Sequence, residues 1–232
     1  MKDYKIGSFT TLTIFSFGKN WYWPLKQMAY SKKNFVEENG LEFVRVMGTG
    51  GGSGFSLKPD FSSYAILCVW KNNYSSEAFF KNHLIFKTYV KKSVSFRHIE
   101  MIAIKSNGFW DGLKPFKNQE IKKKINSHPI AVITRATLNM KMLFQFWKSV
   151  PSISKAIKDA KGVYFFKGIG ELPFIQQATI SIWKDNDSIN KFAYNNMDHK
   201  LVIKKTRQNN WYKEDLFSRF LVISDLNNRF EK

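Results

Sequence analysis

Four histidines are the side chains of this sequence best suited to act as bases or metal ligands near neutral pH. They are His83, His98, His128 and His199. No pair of them has a spacing, such as His-x-x-x-His, that is typical of a closed zinc site. Each histidine therefore has to be judged by the residues around it.

His199 is the most informative of the four. We predict a helix over 188–208, in which the residues near the face of His199 are Phe192, Val202, Ile203 and Thr206. An imidazole on a largely apolar inward face needs a partner, either a protein hydrogen bond or a metal centre. His83 has a similar apolar setting in the first half of the chain, so the pattern alone leaves both explanations open.

Two arginines lie within runs that are typical of β-strands, Arg45 in 43–50 and Arg135 in 130–138. A strand arginine can point into a cavity and bind a carboxylate or a propionate with paired donors. It can equally form an ordinary ion pair or face solvent. Arg207 and Arg219 have the same two interpretations.

A glycine-rich segment follows Arg45, with Gly50, Gly51, Gly52 and Gly54 close together. It lacks the Lys-Ser/Thr of a phosphate-binding loop and the spacing of a dinucleotide fingerprint. The chain also has no Gly-x-Ser-x-Gly nucleophile motif. The segment is either a flexible connection between strands or a place where the backbone comes close to a ligand.

The elements that position these residues occur twice. Ala65–Trp70 (AILCVW) and Ala178–Trp183 (ATISIW) are apolar runs ending in Trp, and they lie 113 residues apart (178 − 65 = 183 − 70 = 113). The predicted strands are 9–17, 43–50, 65–70, 96–104, 130–138, 163–170, 178–183 and 216–224, and the predicted helices are 21–30, 76–92, 140–150 and 188–208. A repeat of this kind indicates a duplicated structural unit.

The order in each half is strand, helix, strand, strand, helix, strand, which is the order of a ferredoxin-like unit. We therefore expect an α+β fold in which two ferredoxin-like βαββαβ units form a pseudo-dimeric α/β barrel. The expected boundaries are 1–112 for the first repeat, 113–127 for a linker and 128–232 for the second repeat. The second repeat contains His199 and is the expected ligand-binding half.

Composition narrows the range of partners. The net charge is +19, from 37 Lys and Arg against 18 Asp and Glu, which favours anionic lipid, an acidic protein or nucleic acid. The basic residues are spread along the chain without an RNA- or DNA-binding signature, so no specific nucleic acid is expected. The alternative explanation of the positive charge is a composition that is rich in lysine throughout, without an anionic partner.

The single cysteine, Cys68, lies in an apolar strand and is expected to be buried, which excludes a disulfide framework. The first residues lack a secretory apolar core, and no apolar run approaches 18 residues. We expect a cytoplasmic protein, at most peripheral to the inner membrane.

Several segments together resemble the spheroidene monooxygenase family of carotenoid-modifying enzymes. They are Arg45–Ser56 (RVMGTGGGSGFS), Thr134–Thr137 (TRAT), Phe146–Pro151 (FWKSVP), Lys167–Glu171 (KGIGE) with Pro173, Gln177–Trp183 (QATISIW), Phe192–Tyr194 (FAY), His199 and Thr206–Phe220 (TRQNNWYKEDLFSRF). Each segment alone is weak evidence for the family, but together, in this order, the segments cover most of the chain.

The resemblance implies a haem-containing monooxygenase that uses O₂ and a ferredoxin-type electron donor to introduce a keto group into a carotenoid or a similar long apolar substrate. It makes His199 the candidate iron ligand, with Phe192 and Ile203 beside the haem. It makes Arg45 and Arg135 candidates for binding the propionates or for catalysis in the distal pocket. An aromatic-walled barrel is then expected to enclose the flat macrocycle.

Three other functions compete with this interpretation. A haem protein with aldoxime-dehydratase-like chemistry needs the same histidine but no O₂. A non-catalytic barrel that binds an apolar ligand needs neither an iron-ligating histidine nor O₂. A nucleic-acid binder is supported only by charge, and its binding would be strongly salt-dependent.

Overall fold

The computed structural model describes residues 8–35, 38–52, 56, 58–120, 128–195, 206 and 208–229. The first half contains β1 (Phe9–Ser16), α1 (Tyr22–Asn34), β2 (Leu41–Gly50), β3 (Pro59–Trp70), α2 (Asn73–Asn82), α3 (Leu84–Lys92) and β4 (Ser95–Gly108). The second half contains β5 (Ile130–Leu138), a 3₁₀ turn (Met140–Met142), α4 (Leu143–Lys158), β6 (Val163–Leu172), β7 (Gln176–Trp183), α5 (Asn186–Asn195) and β8 (Tyr212–Arg229).

The eight strands form one closed antiparallel barrel in the order β1-β3-β2-β6-β7-β5-β8-β4. Strands β4, β1, β3 and β2 are consecutive in the barrel, and β8, β5, β7 and β6 follow the corresponding order in the second half. The α+β barrel is confirmed. The origin of the two halves in a duplication, and the domain boundaries, stay predictions.

The inner face of the barrel is filled with side chains. All eight strands contribute to one buried cluster, and Trp110 and Phe116 complete it from the segment after β4. Since Phe116 lies within the predicted linker, the described part of that linker packs into the core. The expectation that the barrel interior encloses a flat macrocycle is therefore wrong, because apolar side chains occupy that space.

The helices differ from their predicted extents. Helix α1 continues to Asn34, beyond the predicted end at 30, and α5 begins at Asn186 and is described to Asn195, so most of the rest of the predicted helix 188–208 lies outside the described residues. The predicted helix 76–92 breaks at His83, whose extended backbone (φ −69°, ψ 123°) separates α2 from α3. Helix α4 continues past the expected stop at Pro151 to Lys158. Phe146, Trp147 and Val150 of α4 are buried against the barrel, and this packing outweighs the local cost of the proline. Among the described residues, no helix has the length and apolarity to cross a bilayer.

Gly108 ends β4 where β4 lies against β8. Its φ is +96°, and a Cβ there would overlap the carbonyl oxygen of Asp215 and the backbone of Leu216. Gly112 has a φ of +73°, but a Cβ there would have open space around it.

We predict that Gly108→Ala lowers the free energy of unfolding by at least about 2 kcal/mol, because it adds a backbone overlap to the left-handed strain. Gly112→Ala adds only the strain and should cost about 1 kcal/mol. Urea denaturation of both variants measures the difference. Equal losses would contradict the close approach of β4 to β8.

Candidate functional site

Arg135 is held in a cluster of charged groups at one end of the barrel. It follows Ala131 and Ile133 on the inner face of β5, and its side chain is 1% exposed. Its guanidinium donates to Asp111 at 2.7 Å and to Glu214 of β8. The strand alternation thus places a buried charge directly above the apolar core.

Arg45 of β2 belongs to the same cluster. Its Nε lies 2.5 Å from Glu171 of β6, and its Nη2 donates to Asp111 at 2.9 Å. Trp110 donates from Nε1 to the other oxygen of Glu171 at 2.8 Å. Burial raises the pKa of Glu171 despite these donors and the two arginines. The carboxyl group is therefore easier to protonate than an exposed glutamate.

The cluster contains two arginines and three carboxylates, so its cations already have anionic partners. The structure brings Arg45 and Arg135 together through Asp111, whereas Phe192 lies on another part of the barrel. Phe192 lies on α5 over the outer face of the barrel, with its ring 5.2 Å from that of Trp183. The assignment of both arginines to haem stays a prediction, and these contacts do not favour it.

Two of the histidines in the described residues, His83 and His98, are engaged in ordinary contacts. His83 lies 2.9 Å from Glu38 and stacks on Phe79 at 4.4 Å. His98 shares a hydrogen bond of 2.7 Å with Thr13. His128 is exposed. His199 and Ile203 lie outside the described residues.

No group of His, Cys, Asp and Glu within the described part of the chain is arranged to hold a metal ion. Cys68 is buried, as expected, and burial raises the pKa of its thiol. A thiolate ligand or nucleophile at this position is therefore unfavourable.

The outer face of the first half is covered by a continuous aromatic layer. Helices and strands contribute large side chains that pack into one cluster, among them Phe15, Trp70, Phe79, Phe86 and Tyr89. Beneath this layer, Thr13 of β1, Ile66 of β3 and Val46 of β2 form a row across the sheet, and all three are buried. No part of this row is left for a ligand.

The outer face of the second half is covered differently. Along β5, Ala136 and Leu138 pack in the cluster that contains α4, whereas Ile130 and Val132 pack in the cluster that contains α5. Thr134, between these two clusters, is exposed. The two helices therefore leave a gap over the middle of the sheet.

The floor of this gap is a row of four residues in register across the sheet. The row runs through Phe217 of β8, Thr134 of β5, Thr179 of β7 and Gly168 of β6. Phe217 is 36% exposed, and Thr134 and Thr179 are hydrogen-bonded to each other at 2.6 Å. Thr179 is partly exposed and Gly168 is buried, so the accessible part of the row has one aromatic ring and no bulky aliphatic side chain. We call this gap, bounded by α4 and α5, the outer cleft.

Arg219 lies beside the outer cleft on β8. Its guanidinium nitrogens lie 3.4 Å from Asn186 and 3.2 Å from Asn190, both on α5. Its Nε is buried and has no hydrogen-bond partner among the described residues. Such a donor favours a ligand with an anionic or carbonyl oxygen.

Sequence reasoning missed the floor of the cleft and the acidic half of the charged cluster. The floor has a sequence signal: with the 113-residue offset, Thr179 replaces Ile66, so the second half has a smaller and more polar residue. Asp111, Glu171 and Glu214 have no such signal, because only the folded barrel brings them together.

The fold is that of a class of α+β barrel proteins. Two crystal structures of aldoxime dehydratase share the fold. One has a TM-score of 0.61 at 9% identity, covering 95% of this chain and 83% of that chain. The other, a complex with butyraldoxime, has a TM-score of 0.60 at 10% identity, covering 95% and 81%.

Sequence comparison gives the family. The chain is 33% identical over 219 residues to the spheroidene monooxygenase of Cereibacter sphaeroides, covering 93% of this chain and 67% of that protein. It is 28% identical over 201 residues to that of Rhodobacter capsulatus, covering 87% and 83%. No family model matches the chain. The chain belongs to the spheroidene monooxygenase family, and it is a monooxygenase.

We predict that Arg135→Gln lowers the free energy of unfolding by about 1–3 kcal/mol, because it removes the buried cation that pairs with the partly exposed carboxylates of Asp111 and Glu214. Lys117→Gln removes the partner of Glu42 in an exposed ion pair and should cost less than about 1 kcal/mol. Thermal or urea denaturation at neutral pH compares the two. A small loss for Arg135→Gln would show that the cluster does not stabilise the barrel.

Proposed function

We propose that the chain is a haem-dependent monooxygenase that introduces a keto group into a carotenoid or a similar long apolar substrate, with O₂ and a reduced ferredoxin-type donor. Membership of the family supports the oxygenase chemistry and the class of substrate. The single structural observation behind the proposal is the outer cleft, which the first half of the same fold lacks.

The described residues of the outer cleft fit a flat macrocycle. Its floor around Thr134 and Thr179 has no bulky side chain, and Phe217 offers a ring for stacking. The Nε of Arg219, which has no hydrogen-bond partner among the described residues, is a donor for a propionate oxygen. We assign His199 as the iron ligand, with Phe192 and Ile203 as further contacts. When bound, haem supplies the site that binds and activates O₂.

The residues of this chain would bind and orient the substrate and limit its contact with water. Aromatic side chains border the second half of the sheet, among them Trp147, Phe166 and Phe174. Conjugated polyenes are flat and apolar, so rings of this kind can hold them without polar partners. The guanidinium of Arg219 is suited to an anion and not to a hydrocarbon, so we assign its side of the outer cleft to the cofactor.

The charge of the chain supports the proposed electron donor. A net charge of +19 attracts an acidic protein over several ångströms and speeds its encounter. The same charge attracts the anionic surface of a membrane, where long apolar substrates are dissolved. We therefore place the enzyme in the cytoplasm, peripheral to the inner membrane.

We predict that protein expressed with a haem precursor shows a Soret band, and that His199→Ala removes or shifts the band because the iron loses its ligand. Added imidazole should restore the band by supplying the missing nitrogen. Absorption spectroscopy of the purified variants is the measurement.

His83→Ala serves as the matched control, because His83 already contacts Glu38 and Phe79. This variant should keep the wild-type band. A band that survives in His199→Ala and is lost in His83→Ala would assign the iron to the first half and contradict the proposal.

We predict that Thr179→Trp weakens haem binding at least about tenfold, because the indole occupies the floor of the outer cleft and an overlap of ~1.4 kcal/mol is enough for that factor. Thr179→Ser should bind haem like the wild type. Haem titration followed by absorbance gives both affinities. Equal affinities for the two variants would place the haem elsewhere.

A further inference from the structure

The outward face of α4 combines exposed apolar side chains with lysines. Phe144 is 82% exposed, and Met140, one turn earlier, is 57% exposed. Lys141 of the preceding 3₁₀ turn and Lys148 and Lys155 of α4 are exposed at seven-residue spacing. Residues 140–158 contain no Asp or Glu. None of these three lysines forms an ion pair with another described residue.

A second apolar group lies beside the start of α4. The turn between β6 and β7 exposes Leu172 and Phe174. Trp147 of α4 fixes this turn, since its Nε1 donates to the carbonyl oxygen of Phe174 at 3.1 Å and the two rings lie 5.9 Å apart. The exposed residues of α4 and of this turn therefore form one surface, which we call the α4 surface: Met140, Lys141, Phe144, Lys148, Leu172 and Phe174.

We propose that the α4 surface docks on an anionic lipid bilayer, with Met140, Phe144 and Phe174 in the interfacial region. Lysines on either side of the apolar residues suit this arrangement, because their stems lie along the apolar boundary while their ammonium groups contact lipid phosphates. The absence of acidic residues from 140–158 removes the repulsion that would oppose it.

The position of the α4 surface would let docking deliver an apolar substrate to the outer cleft. Trp147 and Phe146 belong to the buried cluster at the α4 side of the outer cleft. A bilayer that touches Phe144 and Phe174 therefore lies next to the cleft, and a long apolar molecule can pass into the cleft without crossing water. This delivery of substrate depends on the proposed function, whereas the docking itself does not.

An acidic protein is the other partner that the lysines suit, but the apolar residues favour lipid. Unpaired Phe and Met side chains on a convex helix face gain little from a polar protein surface and gain much from the acyl boundary. A second exposed aromatic group, formed by Trp21, Tyr22 and Phe61, lies at the opposite end of the barrel, because β1 and β5 run in opposite directions. This group is remote from the outer cleft and provides a control.

The experiment is co-sedimentation of the purified chain with vesicles of phosphatidylcholine alone or mixed with phosphatidylglycerol. The wild type should bind the mixed vesicles, and the double variant Met140→Glu with Phe144→Glu should lose about tenfold or more of its partition coefficient. Lys141→Gln with Lys148→Gln should weaken binding to the mixed vesicles only, in a salt-dependent manner. Tyr22→Glu, at a position that is 66% exposed, should bind like the wild type.

A second measurement detects the inserted residue directly. Phe144→Cys and Tyr22→Cys are labelled with a polarity-sensitive fluorophore, and only the label at 144 should shift to the blue with mixed vesicles. No wild-type binding, equal losses for Tyr22→Glu and the α4 variant, or a shift at position 22 alone would each overturn the proposal. The Soret band of each variant is recorded in parallel, so that a failure of docking with intact haem is distinct from a failure of the proposed function.

Discussion

The barrel depends on how its two halves close on each other at β2 and β6. The described ladder there pairs only Gly48 with Gly170 and Thr49 with Ile169, whereas the other junction, β4 with β8, is paired from Ser95 to Gly108. Side chains strengthen the short junction at both ends. Arg45 binds Glu171 at one end, and Lys167 donates to the carbonyl oxygen of Gly52 at 3.0 Å at the other. The charged cluster thus helps to hold the two halves of the barrel together at this junction.

With the interior filled and closed, the outer faces of the sheet are the places where a ligand can lie. The two halves use these faces differently. Rings such as Phe15 and Tyr89 cover the outer face of the first half, which therefore has a structural role. The second half keeps Thr134 exposed between two separate clusters, and this difference is why we propose that the second half carries the site.

Much of the fold was predictable from the sequence, because alternating apolar residues and the repeated Trp runs indicate strands that face a core on both sides. Cys68 and the strand positions followed from this pattern. The charged cluster was not predictable, since Asp111, Glu171 and Glu214 are distant in sequence and meet only at the end of a closed barrel. The length of α4 was also missed, because burial of Phe146 and Trp147 outweighs Pro151. The outer cleft exists because the helices leave part of the sheet uncovered. No local sequence pattern predicts which part that is.

The outer cleft is the surface that we propose haem covers, and it should be open when haem is absent. Thiol labelling tests this assignment directly, because Cys68, the single native cysteine, is buried and gives little background. Thr134→Cys should react quickly with a water-soluble maleimide without haem and much more slowly with haem bound. Thr13→Cys, at the corresponding position of the first half, should stay unreactive in both states. Equal labelling of Thr134→Cys with and without haem would contradict the account.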